Sequence, residues 1–262
     1  MLDFHSHLMP AVDDGAADLD ESRSGLAAMR SQGVTTIITT PHCAGSLTRK
    51  PRELEEYLSA LDSAFAELEN LAEREFPELR LFRGVEMMLD VPSPDFSDPR
   101  VRLAGGSYAL CEFPFMTVPP HSTRAIREIR MGGTTPIIAH PERYSTMRSK
   151  LGLIEDWRDA GAGIQVNAGS LVGQYGSTAQ KIAWFILERG FADYICSDYH
   201  SRGKLSLRAC ASAFMERGGA AQLRTLTVTN PERMLRSEPP IPVDPVEELQ
   251  LGFWKKVFGA AR

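Results

Sequence analysis

Seven short apolar runs, separated by longer amphipathic stretches, constrain this chain more than any other feature. The runs are Met1–His5, Val34–Thr40, Leu79–Glu86, Tyr108–Phe113, Thr135–His140, Gly163–Asn167 and Asp193–Ser197. Thr36-Ile37-Ile38-Thr39 has no polar face, as expected of a strand covered on both sides in a parallel sheet. Between the runs, Glu21–Gln32, Pro51–Arg74, Ser122–Met131, Ser177–Arg189 and Ser206–Arg217 carry helical patterns. Strand–helix alternation of this length predicts a parallel α/β sheet, and closure into a barrel is its natural solution. An open Rossmann-like sheet is the alternative, but no GxGxxG follows any predicted strand. The length of 262 residues suits one such barrel, and 43% hydrophobic residues can fill its core.

The one compositional break is Ser237–Pro245, SEPPIPVDP, a Pro-rich connector that cannot be helical. After it Val246, Leu249, Phe253 and Val257 share a helical face, widened by Trp254 and Phe258, with Lys255 and Lys256 off the stripe. The expected organisation is a barrel over residues 1–236, then a connector and amphipathic helix over 237–262 that packs back on it. A net charge of −5 argues against a broad nucleic-acid footprint. Cys43, Cys111, Cys196 and Cys210 form no CxxC pair and read as reduced thiols. The start, MLDFHSHLMP, lacks the basic and apolar regions of a secretion signal, and no run of 18 apolar residues occurs. The chain is therefore expected to act in the cytoplasm and not to be integral to a membrane.

Five of the six histidines fall at or just beyond predicted strand ends. His5 and His7 are two apart, which puts both imidazoles on one strand face. His42, His140 and His200 follow three further strands. Glu86, Glu112 and Asp198 close strands in the same register, and Asp13-Asp14-Gly15 lies in the first loop. Strand C-termini of a (β/α) barrel converge on one mouth. Charged groups ending apolar strands are costly unless paired or metal-bound, and nine such positions point to a metal cluster more than to scattered loop residues. Mixed imidazole and carboxylate ligands suit Zn²⁺, Mn²⁺ or Fe²⁺ better than Mg²⁺ or Ca²⁺. Three divalent ions against four carboxylates leave a pocket of about +2, which attracts a phosphate dianion even in an acidic protein. Such ions supply a water of lowered pKa as nucleophile.

His5-Ser6-His7, Asp13-Asp14-Gly15, Thr40-Pro41-His42, Glu86, Glu112, His140-Pro141-Glu142-Arg143-Tyr144 and Ser197-Asp198-Tyr199-His200 together resemble the PHP (polymerase and histidinol phosphatase) superfamily. More narrowly, DFHSHLMPAVDDGA and HPERY resemble the capsular and exopolysaccharide tyrosine-protein phosphatases; the likeness runs from Met1 to about Arg236. The resemblance implies a distorted (β/α)₇ barrel with a trinuclear site of Mn, Fe, Co or Zn, manganese foremost, at the strand C-termini. It implies His5, His7 and Asp198 on one ion, with Glu86 bridging to a second that Glu112 and His140 complete. Asp14, His42 and His200 would hold the third, with Asp13 competing for the place of Asp14. Arg143 and Arg202 resemble the phosphate-clamping arginines of the family, whereas His121 matches no ligand motif. The implied activity is phosphotyrosine hydrolysis, with the tyrosine-rich tail of a membrane-bound polysaccharide co-polymerase kinase as the expected partner.

Other readings exist. His42-Cys43 with Arg49 makes HCAGSLTR, the HCx₅R signature of cysteine-dependent tyrosine phosphatases, in which a low-pKa thiolate attacks phosphorus. It has only Gly45 to wrap a phosphate and leaves eight of the nine candidate ligands unexplained. A histidinol-phosphate-like metabolite phosphatase competes for the substrate. A non-catalytic metal-binding regulator would be expected to lack ligands, and none is missing from the motif set.

Overall fold

The computed structural model describes residues 1–246. The terminal helix expected beyond Val246 lies outside the described residues. Each of the seven apolar runs contains a strand, and four of them continue as a second short strand after a two-residue break. The first run gives β1 (Leu2–Asp3) and β2 (Ser6–His7), the second β3 (Thr36–Thr39) and β4 (His42–Ala44), and the third β5 (Arg80–Arg83) and β6 (Glu86–Met88). Then come β7 (Tyr108–Glu112), β8 (Thr135–Ala139), β9 (Gly163–Asn167), β10 (Tyr194–Cys196) and its continuation β11 (Tyr199–His200).

All pairings among the described residues are parallel. The ladders run β1–β3–β5, then β4–β6–β7–β8–β9–β10, and finally β11–β2. Each run therefore has a parallel neighbour on both sides, the last pairing with the first through Tyr199–Ser6 and His200–His7. Backbone bonds span the breaks: Thr40 N donates to Ser6 O at 2.8 Å, Glu86 N to Pro41 O at 2.9 Å, and Asp198 N to His5 O at 2.8 Å.

The period of two sorts strand residues into two apolar layers. Phe4, Ile38, Leu110, Ile137 and Tyr194 pack together, with the Phe4 and Tyr194 rings edge to face at 5.1 Å. Their neighbours Ile37, Cys111, Ile138, Ile164 and Ile195 face a layer of helices. Those helices are α1 (Leu19–Ser31), α2 (Pro51–Glu75), α3 (Ser122–Met131), α4 (Leu153–Asp159), α5 (Ala168–Leu171), α6 (Gly176–Glu188) and α7 (Leu207–Glu216). Asp18 caps α1 by accepting from Asp20 N and Glu21 N. Pro51 opens α2, where its missing N–H costs nothing, and Leu58, Leu61, Ala64, Leu68 and Leu71 form its buried stripe.

Residues 237–246 contain no helix, as the prolines require. The segment is nevertheless strapped to the body. Asn230 and Ile241 exchange hydrogen bonds of 2.9 and 3.0 Å, Tyr108 Oη donates to Glu238 O at 2.7 Å, and Val246 N donates to Leu187 O at 3.1 Å. No helix among the described residues is long and apolar enough to cross a membrane.

Candidate metal centre

The strand breaks put chemistry where a regular strand could not. His5 occupies the break before β2 and Asp198 the break before β11. Asp198 has φ 50° and His140 φ 35°, left-handed values that a non-glycine residue holds only when its surroundings dictate it. His5 Nε2 lies 3.2 Å from Glu86 Oε2 and 3.3 Å from Asp198 Oδ1, and His7 Nε2 lies 3.5 and 3.6 Å from the same two oxygens. All four side chains are buried.

The other ring nitrogens decide which tautomers these are. His5 Nδ1 sits 3.0 Å from Gln165 Oε1 and His7 Nδ1 2.6 Å from Asp13 Oδ2, both acceptors. With the protons on Nδ1, each Nε2 turns a lone pair toward the two carboxylates. His5 Nε2, His7 Nε2 and Glu86 Oε2 are buried without a hydrogen-bond partner. Lone pairs facing lone pairs in a buried pocket repel unless a cation lies among them. This donor set fits a divalent metal.

Two further groups adjoin it. His7, Asp14, His42 and His200 each offer one ligand atom within 4.8 Å of the others, and so do His42, Glu86 and Glu112. Asp14 Oδ1 is 3.2 Å from His200 Nε2 and 3.5 Å from His42 Nε2, while His42 Nδ1 is 3.1 Å from both Glu86 Oε2 and Glu112 Oε1. The His200 ring stacks on His7 with centroids 4.0 Å apart, and its Nδ1 meets Asp198 O at 3.2 Å. His140 Nε2 reaches Glu86 Oε1 at 3.0 Å. All nine expected ligands thus fall in one connected cluster, but His42 rather than His140 stands beside Glu112.

The pair Asp13-Asp14 divides cleanly. Asp14 points into the cluster; Asp13 stands behind it, holding His7 Nδ1, Gly15 N at 2.9 Å and His42 N at 3.2 Å. Burial disfavours the imidazolium of His7, yet its bond to Asp13 and the Glu86 carboxylate 3.5 Å from Nε2 outweigh that and raise its pKa to about 10, so that without a metal a proton supplies the cation these groups require. Burial likewise opposes charge on His42, but Glu112 and Glu86 lift it to about 11. Burial alone would raise Asp13; the His7 bond reverses this and brings it to about 2. The carboxylates stabilise positive charge at these imidazole positions.

Arg143 lies at the wall of the cluster. Its Nη1 donates to Asp198 Oδ2, and its guanidinium covers the Tyr175 ring 4.3 Å from the centroid. Arg202 is 76% exposed, with Glu21 at 3.9 Å its nearest carboxylate. His121 is exposed at the N-cap of α3 with φ 68°, apart from the cluster. Sequence reasoning missed Asp3, Gln165, Asn167 and Tyr175. Asp3 accepts from Ser197 N and Oγ, both at 2.7 Å, and Asn167 Nδ2 donates to Asp198 Oδ2 at 3.2 Å.

The HCx₅R motif does not build a phosphate loop. Cys43 sits in β4 facing away from His42 and is 2% exposed. Burial, with Asp90 adding to it, pushes the thiol up to about 12, so no thiolate is available near neutral pH. Ser46 N, which such a loop would turn toward phosphate, donates to Asp90 Oδ1 at 2.8 Å, and Arg49 is exposed. All four cysteines are free.

A family model described as "Capsular polysaccharide synthesis, CpsB/CapC" matches residues 1–236. The chain is 29% identical over 252 residues to a tyrosine-protein phosphatase, YwqE, of Bacillus subtilis, covering 93% of this chain and 96% of that protein. It is 31% identical to a putative tyrosine-protein phosphatase, CapC, of Staphylococcus aureus, over 77% of each chain. Among solved structures, a chain from the crystal structures of YwqE from B. subtilis and CpsB from Streptococcus pneumoniae, described as unique metal-dependent tyrosine phosphatases, matches with a TM-score of 0.79 at 27% identity, covering 95% of this chain and 100% of that one. An organophosphorus hydrolase mutant from Deinococcus radiodurans shares the fold alone, with a TM-score of 0.54 at 13% identity over 89% of this chain and 92% of that one.

Proposed function

The chain belongs to the CpsB/CapC family of capsular polysaccharide synthesis, and from that premise we propose that it is a metal-dependent tyrosine-protein phosphatase whose centre is the nine-residue cluster. The observation that carries this reading is the convergence of two buried, unpartnered imidazole nitrogens, His5 Nε2 and His7 Nε2, on Glu86 and Asp198. Three adjoining donor groups support a trinuclear site, with manganese the first candidate among Mn, Fe, Co and Zn. His5, His7, Glu86 and Asp198 would hold one ion, and Asp14, His42 and His200 another. Glu86 and Glu112 would hold the third, with His140 swinging from Glu86 to join them. A neutral imidazole offers one lone pair, so His42 serves one ion and donates from its other nitrogen. Bound divalent ions would supply Lewis acidity, neutralising phosphoryl oxygens and acidifying the attacking water.

The chain's own residues bind and orient. Arg143, fixed between Asp198 and Tyr175, keeps guanidinium N–H groups free for phosphate oxygens. Asp13 and Gln165 hold His7 and His5 in the tautomer that leaves Nε2 open. Unbroken parallel pairing from each run to the next, and from the last to the first, supports a distorted (β/α)₇ barrel over residues 1–236 with the cluster at its strand C-termini. We take Arg202 as a second phosphate arginine that would have to swing in from its exposed position. The substrate we favour is the tyrosine-rich tail of a membrane-bound polysaccharide co-polymerase kinase, met in the cytoplasm.

The test is dialysis against a chelator followed by Mn²⁺, Co²⁺, Fe²⁺ or Zn²⁺. Hydrolysis of a phosphotyrosine peptide should vanish and return. Full activity in metal-free protein would overturn the metal reading, and a strong preference for histidinol phosphate would overturn the substrate.

A further inference from the structure

Next to the cluster lies a cleft of about 260 Å³ between the segment after β8 and helix α6. It shares a wall with the metal centre: Arg143 is bonded to Asp198, and the Tyr144 ring lies 5.7 Å from His140. Beyond Arg143 the lining includes Arg148, Thr178 and Met116. Arg148 is exposed and, among the described residues, has no carboxylate within 4.0 Å, unlike Arg143, Arg158 or Arg217. The one carboxylate of the lining, Glu142, is buried and turned inward, its Oε1 accepting from Asn167 N at 2.9 Å. The cleft is thus cationic in a chain of net charge −5. Next in sequence to Met116 of the lining, Phe115 is 97% exposed, an aromatic side chain with nothing packed on it.

We propose that this cleft is a subsite for the peptide flanking the scissile phosphotyrosine, with Arg148 receiving a carboxylate of a neighbouring Asp or Glu and Phe115 lying along the peptide. The inference rests on the phosphatase reading and deepens it from reaction to substrate class. With the phosphate drawn to the cluster and Arg143, the peptide must leave over one of the surrounding walls. The wall formed by the cleft offers a cation without a carboxylate partner, and the exposed Phe115 adjoins Met116 of the same lining in sequence. An opposite charge at Arg148 gains what an exposed pair gains, and salt weakens it.

The test uses the metal-loaded enzyme and two phosphotyrosine peptides of equal length, one with Asp and Glu beside the tyrosine and one with Asn and Gln. For the unaltered enzyme at low salt, kcat/KM should favour the acidic peptide by about three- to five-fold, the scale of an exposed ion pair. Arg148→Ala should erase that preference through KM, Arg148→Glu should invert it, and the unaltered enzyme should lose it in high salt. Phe115→Ala should raise KM for both peptides. Equal kcat/KM for the two peptides in the unaltered enzyme, or a preference that Arg148→Glu leaves intact, would overturn the subsite while leaving the phosphatase reading in place. Failure to hydrolyse either peptide, with histidinol phosphate turned over, would overturn both.

Discussion

Replacing Asp13 by Asn tests whether this carboxylate acts as the buttress of the cluster. Asp13 Oδ2 accepts from His7 Nδ1 at 2.6 Å and from His42 N at 3.2 Å, while Oδ1 accepts from Gly15 N at 2.9 Å. An amide can offer an acceptor at only one of these positions. With its oxygen in the Oδ2 position, Asn keeps His7 and His42 but sets its NH₂ against the Gly15 N–H. The turn has little room to shift, because Gly15 packs so closely on His7 that a Cβ there would lie 2.2 Å from His7 O. One partly buried donor then goes unmatched, at a cost of about 1–3 kcal/mol, and the His7 bond loses its charge assistance, about 1 kcal/mol more. Loss of a carboxylate behind a metal-ligating histidine typically lowers metal affinity 10–100-fold, or roughly 1.4–2.7 kcal/mol. Calorimetric titration of metal-free Asp13→Asn with Mn²⁺ should therefore show a Kd raised by about that factor. The melting temperature of the metal-free protein should fall by about 4–10 °C. Asp14→Asn is the contrast: Asp14 is 72% exposed and supports nothing behind the cluster. Its loss should reduce the number of ions bound and leave the metal-free melting temperature unchanged. Wild-type affinity and stability in Asp13→Asn, or equal destabilisation by Asp14→Asn, would refute this division of labour.

Three further outcomes are expected. Arg143→Ala should raise KM for phosphorylated substrates and weaken inhibition by inorganic phosphate at least several-fold, since a bidentate cation is lost; an unchanged inhibition constant would return Arg143 to a supporting role. Cys43→Ser should leave kcat within a few-fold, and a dead enzyme with its full complement of metal would revive the thiolate mechanism. Burial drives the Asp3 carboxyl up to about 6 from 3.8 despite the opposing bonds from Ser197, so its ionisation weakens the metal-free fold as pH rises from about 4 to 6, and the whole cost persists above that. At about 1.36 kcal/mol per unit this approaches 3 kcal/mol. Asp3→Asn can donate to Ser197 Oγ, which turns its own proton to His5 O at 3.3 Å. The variant should therefore flatten the dependence of urea-unfolding stability on pH between 4 and 6, and a slope like that of the parent would exclude Asp3 as its source.

The seven strands were legible because they are buried on both sides and so read as unbroken apolar runs. The same continuity hid their breaks. Phe4-His5, Thr40-Pro41, Gly84-Val85 and Ser197-Asp198 interrupt the ladders, yet only Pro41 and Gly84 are residues that signal a break. The long helices declared themselves by periodicity, whereas α4 buries only Ile154 and Trp157 in seven residues and α5 buries all four of its residues, leaving no period to detect.

The site divides in the same way, between charge and support. His5, Glu86 and Asp198 stood out because a charged group ending an apolar strand needs a partner. Their supports are neutral or look like ordinary polar residues, but the period of two could have found some of them. Asp3, His5 and His7 alternate along one run, and Gln165 and Asn167 alternate along β9, each reaching the ligand ahead of it: Gln165 to His5, Asn167 to Asp198. Polar residues alternating by two within a buried strand are thus candidates for supporting the cluster, whether or not that strand carries a ligand, because the pleat turns them to one side. Asp13 and Asp14 defeat this rule. They lie in a loop without a period, and only the turn closed by Gly15 decides which carboxylate enters the cluster and which stands behind it.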